Sequence, residues 1–154
     1  MHRFESATVL TADQIDVFHF HENPENIRKI SPPFLRIPEL HANPVAREGE
    51  KFTLHLRVFG VPILWRGEWA QVVSPALLLD TASIFPFRTW RHEHRFVSRG
   101  AETEMIDVVI YQLPWGIFGR LLGATVFRML LVAMFVGRHQ ATRTYFKNRP
   151  VNGA

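Results

Sequence analysis

A chain of 154 residues with 47% apolar residues, 13 Phe and 4 Trp is long enough for one ring-rich core and too apolar for disorder. It has no cysteine, which removes disulfides, thiolate nucleophiles and cysteine-held zinc or iron–sulfur centres. The net charge is +4, but the 18 basic residues, all arginine except Lys29, Lys51 and Lys147, are scattered among glutamates, so no nucleic-acid partner is expected.

The opening segment, Met1-His2-Arg3-Phe4-Glu5-Ser6, lacks the apolar stretch of a secretory signal, and a cytoplasmic location is expected. Residues 3–10 alternate weakly, as a strand. Thr11-Ala12-Asp13-Gln14 has the spacing of a capping box and predicts a short helix from Ala12 to Phe20. Asn23-Pro24 repeats the start signal, and Ser31-Pro32-Pro33 ends a second short helix near Ile30. After a loop around Asn43-Pro44, Lys51 to Val58 alternates polar and apolar residues like a strand with one wet face. Gly60-Val61-Pro62 predicts a turn into a strand from Ile63 to Val73, and Ser74-Pro75 a turn into Ala76 to Ile84. Ser98-Arg99-Gly100-Ala101 then joins a strand from Arg88 to Val97 to another from Glu102 to Leu113. These spacings describe an antiparallel meander.

From Phe118 to about Lys147 no proline intervenes, and one long helix is predicted. Its polar side chains Arg120, Arg128, Arg138, His139 and Thr142 fall within an arc of about 100°. The opposite face, with Leu122, Val126, Met129, Leu130, Ala133 and Gly137, is therefore expected to pack on the sheet. Leu121 to Gly137 carries only Arg128 as a charge, yet it falls short of the roughly 20 apolar residues that span a bilayer, so burial against the sheet is the expected explanation. Leu131, Val132 and Phe135 remain for a homodimer contact or a peripheral membrane contact. With no linker or repeat, the fold class is α+β in a single domain over 1–154.

This order of elements resembles the helix-grip fold of the START/Bet v 1-like superfamily, also called SRPBCC. Three segments sharpen the likeness: Phe18-His19-Phe20-His21-Glu22-Asn23-Pro24-Glu25-Asn26-Ile27 with Ile30-Ser31-Pro32-Pro33, Trp90-Arg91-His92-Glu93-His94-Arg95-Phe96, and Met105-Ile106-Asp107-Val108-Val109-Ile110-Tyr111-Gln112-Leu113-Pro114-Trp115-Gly116. They are similar to the small bacterial polyketide cyclase/dehydrase-like branch. The resemblance implies a curved antiparallel sheet around the C-terminal helix, with a cavity between them for a lipid-, sterol- or polyketide-like molecule. One departure is Phe85-Pro86-Phe87, where a Gly-Pro-Phe turn is expected; a ring there is expected to narrow the entrance or change the bend.

Period-two geometry puts Trp90, His92, His94 and Phe96 on one face of their strand, and Thr103, Met105, Asp107, Val109 and Tyr111 on one face of the next. Asp107 is then placed to meet His92 or His94 inside an apolar pocket, where such groups must pair. The cluster is read three ways: a structural network, a polar anchor for an apolar ligand, or a proton-transfer site in an aromatase/cyclase- or dehydratase-like enzyme using His92, His94 and Asp107. A two-His, one-carboxylate metal site is the remaining alternative, and no metal or cofactor is expected. The ligand-binding candidates are Trp69, Trp90, His92, His94, Phe96, Met105, Asp107, Tyr111 and Met129. Trp65, Leu54 and Leu56 are lining candidates, with Gly67 leaving room between Trp65 and Trp69. His19, His21, His41, His55 and His139 are expected at surfaces or helix ends.

Overall fold

The alternating segments pair into one seven-stranded antiparallel sheet in the computed structural model, which describes residues 1–148. The strands are β1 (His2–Leu10), β2 (Leu35–His41), β3 (Lys51–Val58), β4 (Val61–Val73), β5 (Leu77–Ser83), β6 (Thr89–Arg99) and β7 (Glu102–Gln112). Their spatial order is β1-β7-β6-β5-β4-β3-β2. Between the two edge strands the chain forms α1 (Gln14–Glu22), a 3-10 turn (Pro24–Asn26) and α2 (Ile27–Ile30). After β7 a helix runs through α3 (Gly116–Leu122), a π-helical turn (Gly123–Phe127) and α4 (Arg128–Lys147). This is an α+β helix-grip arrangement, as the sequence leads one to expect; the last six positions of the 1–154 domain lie outside the described residues.

Local chemistry departs from expectation at several points. The turn into β4 is the two-residue loop Phe59-Gly60, at φ 49° and 83°, because Val58 pairs directly with Val61. β2 has no clear sequence signal: Pro38 lies inside it, and its register with β3 slips between Arg36 and Glu39, as an edge strand permits. The capping box does not form. Helix α1 begins at Gln14 without a side-chain cap on Asp13, and the Gln14 amide instead donates to the Phe96 carbonyl at 2.7 Å. Thr103 Oγ1 donates to the Ala12 carbonyl at 2.7 Å, so the start of α1 is fastened to β6 and β7.

The core divides into two clusters. One joins α1, α2, β3 and α4 through Phe18, Phe20, Ile30, Phe52, Leu54, Leu56 and Phe146. The other joins Phe4, Ile84, Trp90, Val109, Tyr111, Leu131 and Phe135, and Ile63, Trp65 and Met134 border both. Fully burying each such large apolar side chain is worth about 1.5–3 kcal/mol. Gly67 is required by this packing, since a β-carbon there would lie 2.2 Å from the Phe52 ring that crosses β4. Gly123 does the same for the helix: its missing side chain admits the His2 ring, which a β-carbon would approach to 2.4 Å.

The helix presents the face opposite to the expected one. Leu131, Phe135, Arg138, His139, Thr142 and Phe146 face the sheet, whereas Val126, Ala133 and Met129 face outward, Met129 at 73% exposure. Burial against the sheet therefore accounts for Leu131 and Phe135 but not for most of the apolar run. The physical reason is that this arc carries groups with buried polar partners: Thr142 Oγ1 donates to the Arg138 carbonyl at 2.8 Å, and His139 reaches a buried carboxylate.

Candidate functional site

The inner faces of the central strands carry the polar cluster. His94 stands in register with Asp107 across β6 and β7, and His92 with Asp80 across β5 and β6. Asp107 is fully buried and serves as the hub. Its Oδ1 lies 3.1 Å from His92 Nε2 and 2.7 Å from His94 Nδ1, while its Oδ2 lies 2.6 Å from His139 Nε2 on α4. The His94 contact is off the line that a hydrogen bond needs, so it acts through charge rather than direction. His92 Nδ1 sits 3.5 Å from Asp80 Oδ2, so both of its nitrogens face carboxylates.

These contacts set the protonation states. Burial alone would lower His92, but the hydrogen bonds to Asp107 and Asp80 overcome it and raise the imidazole to about 9. Burial would likewise push Asp107 up, and the facing histidines, His94 first, hold it well below the usual carboxylate range. Burial and the neighbouring His92 lower His94. Burial and His94 lower His21 to about 3, and its Nδ1 lies 2.7 Å from the Val17 carbonyl, leaving Nε2 as an acceptor. Arg138 is also lowered by burial, against the pull of Asp107 and Asp80, but remains a cation. The carboxyl groups of Asp80 and Asp107 thus gather around the His92 imidazolium, with the Arg138 guanidinium within reach of their charge.

Beside this cluster lies a cavity of about 100 Å³. Leu54 and Leu56 of β3, Trp65 and Trp69 of β4, Ile30 of α2 and Met134 of α4 supply its apolar wall. His21, Asp80, Trp90, His92, His94 and Arg138 supply the other. Five buried nitrogens of this lining have no hydrogen-bond partner among the described residues: Trp65 Nε1, Trp90 Nε1, Arg138 Nε, His94 Nδ1 and His21 Nε2. Trp65 and Trp90 meet edge to face at 4.9 Å. A buried donor without a partner costs about 1–3 kcal/mol, so three N–H groups beside one cavity point to an acceptor oxygen within it.

Of the sequence candidates, Trp69, Trp90, His92 and His94 line the cavity, with Trp65, Leu54 and Leu56. Asp107 stands behind the histidines. Phe96 and Met105 are buried in the core away from the cavity, Phe96 packing edge-on to Phe18 at 5.8 Å. Tyr111 is also outside it; burial raises its phenol, which donates to the Gly123 carbonyl at 2.6 Å. Met129 is on the outer face of the helix. His19, His41 and His55 are exposed as expected, but His21 lines the cavity and His139 is buried on Asp107. Phe85 points to solvent, so it does not narrow the cavity; Phe87 packs on Trp90, Tyr111 and Phe127. Asp80, His92 and His94 offer ligand atoms within 4.8 Å of one another, but a cation there would have to displace the contact between His92 and Asp80.

Sequence reasoning missed Asp80, His21, Arg138 and His139. Asp80 had a signal: it shares a face with Leu78 in a period-two run, and Leu78 pairs with His94.

No protein-family model matches the chain, and no curated protein matches it. Solved structures do. A START superfamily protein from Mycobacterium smegmatis superposes with a TM-score of 0.75 at 9% identity, covering 96% of this chain and 98% of its own. Zhui aromatase/cyclase from Streptomyces sp. R1128 superposes with a TM-score of 0.69 at 14% identity, covering 99% of both chains. A protein from Chromobacterium violaceum gives 0.75 at 12% identity, over 96% of this chain and 98% of its own.

Proposed function

We propose that this chain, which has the START-like (SRPBCC) fold, is a cytoplasmic carrier or sensor that holds a neutral, mostly apolar small molecule between sheet and helix. The observation that carries this reading is the cavity in which Trp65, Trp90 and Arg138 have N–H groups without protein partners. Ring contacts from Trp69 and Trp90 would supply affinity, and a carbonyl or hydroxyl oxygen would accept from those donors. A neutral acceptor oxygen meets these donors without bringing a further charge into the buried site, which a carboxylate would have to do at the cost of its hydration. At about 100 Å³ the cavity suits no more than a single small ring as it stands, since an apolar cavity of about 150 Å³ holds benzene. A longer polyketide- or sterol-like molecule would require α2 and the turn before it to move.

The test compares cyclohexanone, a single-ring ketone, with methylenecyclohexane, in which a methylene group replaces the oxygen, by isothermal titration. The ketone is expected to bind on the order of 2- to 10-fold more tightly, the worth of one net hydrogen bond. Trp65→Phe with Trp90→Phe should shrink that advantage, read as the ratio of the two affinities within the variant, with Arg138 Nε left as the remaining donor. Equal affinity of the two probes for the unaltered protein would remove the hydrogen-bonding role.

A second reading is a proton-transfer enzyme of the aromatase/cyclase or dehydratase kind. It is favoured by the opposite protonation of two neighbouring imidazoles, with His92 raised, His94 lowered and their ring centres 4.0 Å apart. His94 would then act as base and His92 as acid, and the likeness in fold to an aromatase/cyclase agrees with this reading. Turnover of a poly-β-ketone mimic, lost in His94→Gln, would favour it over simple binding.

A further inference from the structure

The helix after β7 has an outward face that neither the cavity nor the polar cluster uses. Gly116–Lys147 is long and apolar enough to cross a membrane, yet only 17% of its most apolar stretch is buried. Ile117, Phe118, Leu121, Val126, Met129 and Val136 are all more than half exposed. The same face then turns polar at Gln140, Arg143, Thr144 and Lys147. Trp115, half exposed, stands at the start of the apolar part. The turn bearing Phe85, the most exposed ring in the chain at 81%, reaches this end too, since Phe87 packs on Phe127 at 5.2 Å.

Charge indicates what covers the face. From Val108 to the C-terminus the sequence has no Asp or Glu, whereas Arg120, Arg128, Arg138, Arg143, Lys147 and Arg149 are all cations. Arg120 and Arg128 are exposed beside the apolar stripe, and neither forms an ion pair among the described residues. A second copy of this chain would set these cations against their own kind, whereas an anionic lipid surface complements them. Trp beside Arg, with Phe and Leu on the same helix, is the composition of a segment at the boundary between headgroups and acyl chains.

We propose that this protein docks peripherally on an anionic membrane, with the segment from Trp115 to Val136 lying in the plane of the interface. That segment extends about 30 Å at 1.5 Å per residue. The helix lies along the surface rather than across it, because its continuation buries Arg138, His139 and Thr142 against the sheet and His139 holds Asp107. Docking is independent of the cavity ligand, and either proposal can fail alone.

The experiment is co-sedimentation of the full chain with phosphatidylcholine vesicles, with and without about one-third phosphatidylglycerol. The protein is expected to pellet with the anionic vesicles, to stay largely in the supernatant with the zwitterionic ones, and to be released by high salt. Phe118→Asp with Met129→Asp should abolish pelleting with thermal unfolding unchanged, since both side chains are exposed. Arg120→Glu with Arg128→Glu should weaken partitioning at least about 10-fold. Failure to pellet with anionic vesicles overturns the proposal. So does a stable dimer by light scattering that Phe118→Asp dissolves, which would make a second copy the occupant. Pelleting that resists alkaline carbonate overturns the in-plane arrangement.

Discussion

Asp107→Asn is expected to destabilise the fold by about 3–5 kcal/mol, the usual cost of removing one partner from a buried ion network. Asp107 touches three imidazoles, two from β6 and one from α4, and its carboxylate is wholly removed from water. Asparagine keeps the volume but loses the charge. The amide would leave the His92 imidazolium with Asp80 alone as counter-ion, and would turn an N–H₂ donor toward either β6 or His139. Against a total stability of about 5–15 kcal/mol for a domain, this is a large fraction. Urea denaturation followed by tryptophan fluorescence measures it. A loss below about 1 kcal/mol would mean that the cluster contributes little to holding helix on sheet.

Stability is expected to peak near pH 6.5 and to fall on both sides, for two separate reasons. His92 binds its proton more tightly when folded, at about 9 against 6.5 unfolded. Its contribution is therefore complete below pH 6.5 and is lost as pH rises through 9. On the acid side His21 is lowered to about 3 and His94 is also lowered, so below pH 6.5 the unfolded chain takes up protons that the folded one refuses. Asp107, held well below 3.8, adds a further loss as pH falls through and beneath that value. Calorimetric melting between about pH 5 and 10 measures both limbs. His92→Gln should flatten the alkaline limb and leave the acid one in place. A melting temperature that climbs from pH 6.5 to 9 would contradict the assignment of His92 as an imidazolium.

The sheet was legible because alternation and tight turns act locally. Period two put His92, His94 and Asp107 on facing positions, and the short connection between Arg99 and Glu102 fixed the register that pairs His94 with Asp107. Asp80 needed a longer inference, across the Ile84–Phe87 connection, and Pro38 hid β2 because proline argues against a strand. The orientation of α4 was not legible. Its polar arc reads as solvent-facing on every hydrophobicity argument, yet His139 and Thr142 of that arc are buried because Asp107 and the helix backbone satisfy them, and Arg138 is buried beside the cavity. The apolar arc, with Met129, was left outside. Periodicity reports that a helix has two faces; which one is buried depended here on Asp107, 32 residues before His139, and on what covers the outer stripe.

The cavity between sheet and helix is tested most directly by native mass spectrometry of freshly purified protein beside a Leu56→Trp variant, in which the added ring fills the space that Leu56 lines. A ligand site predicts one defined extra mass on the unaltered protein, extractable into organic solvent as a ring compound bearing a carbonyl or hydroxyl, and its absence from the variant. Bare spectra for both proteins, together with no uptake of cyclohexanone by either, would contradict the site and leave the histidines as a structural network.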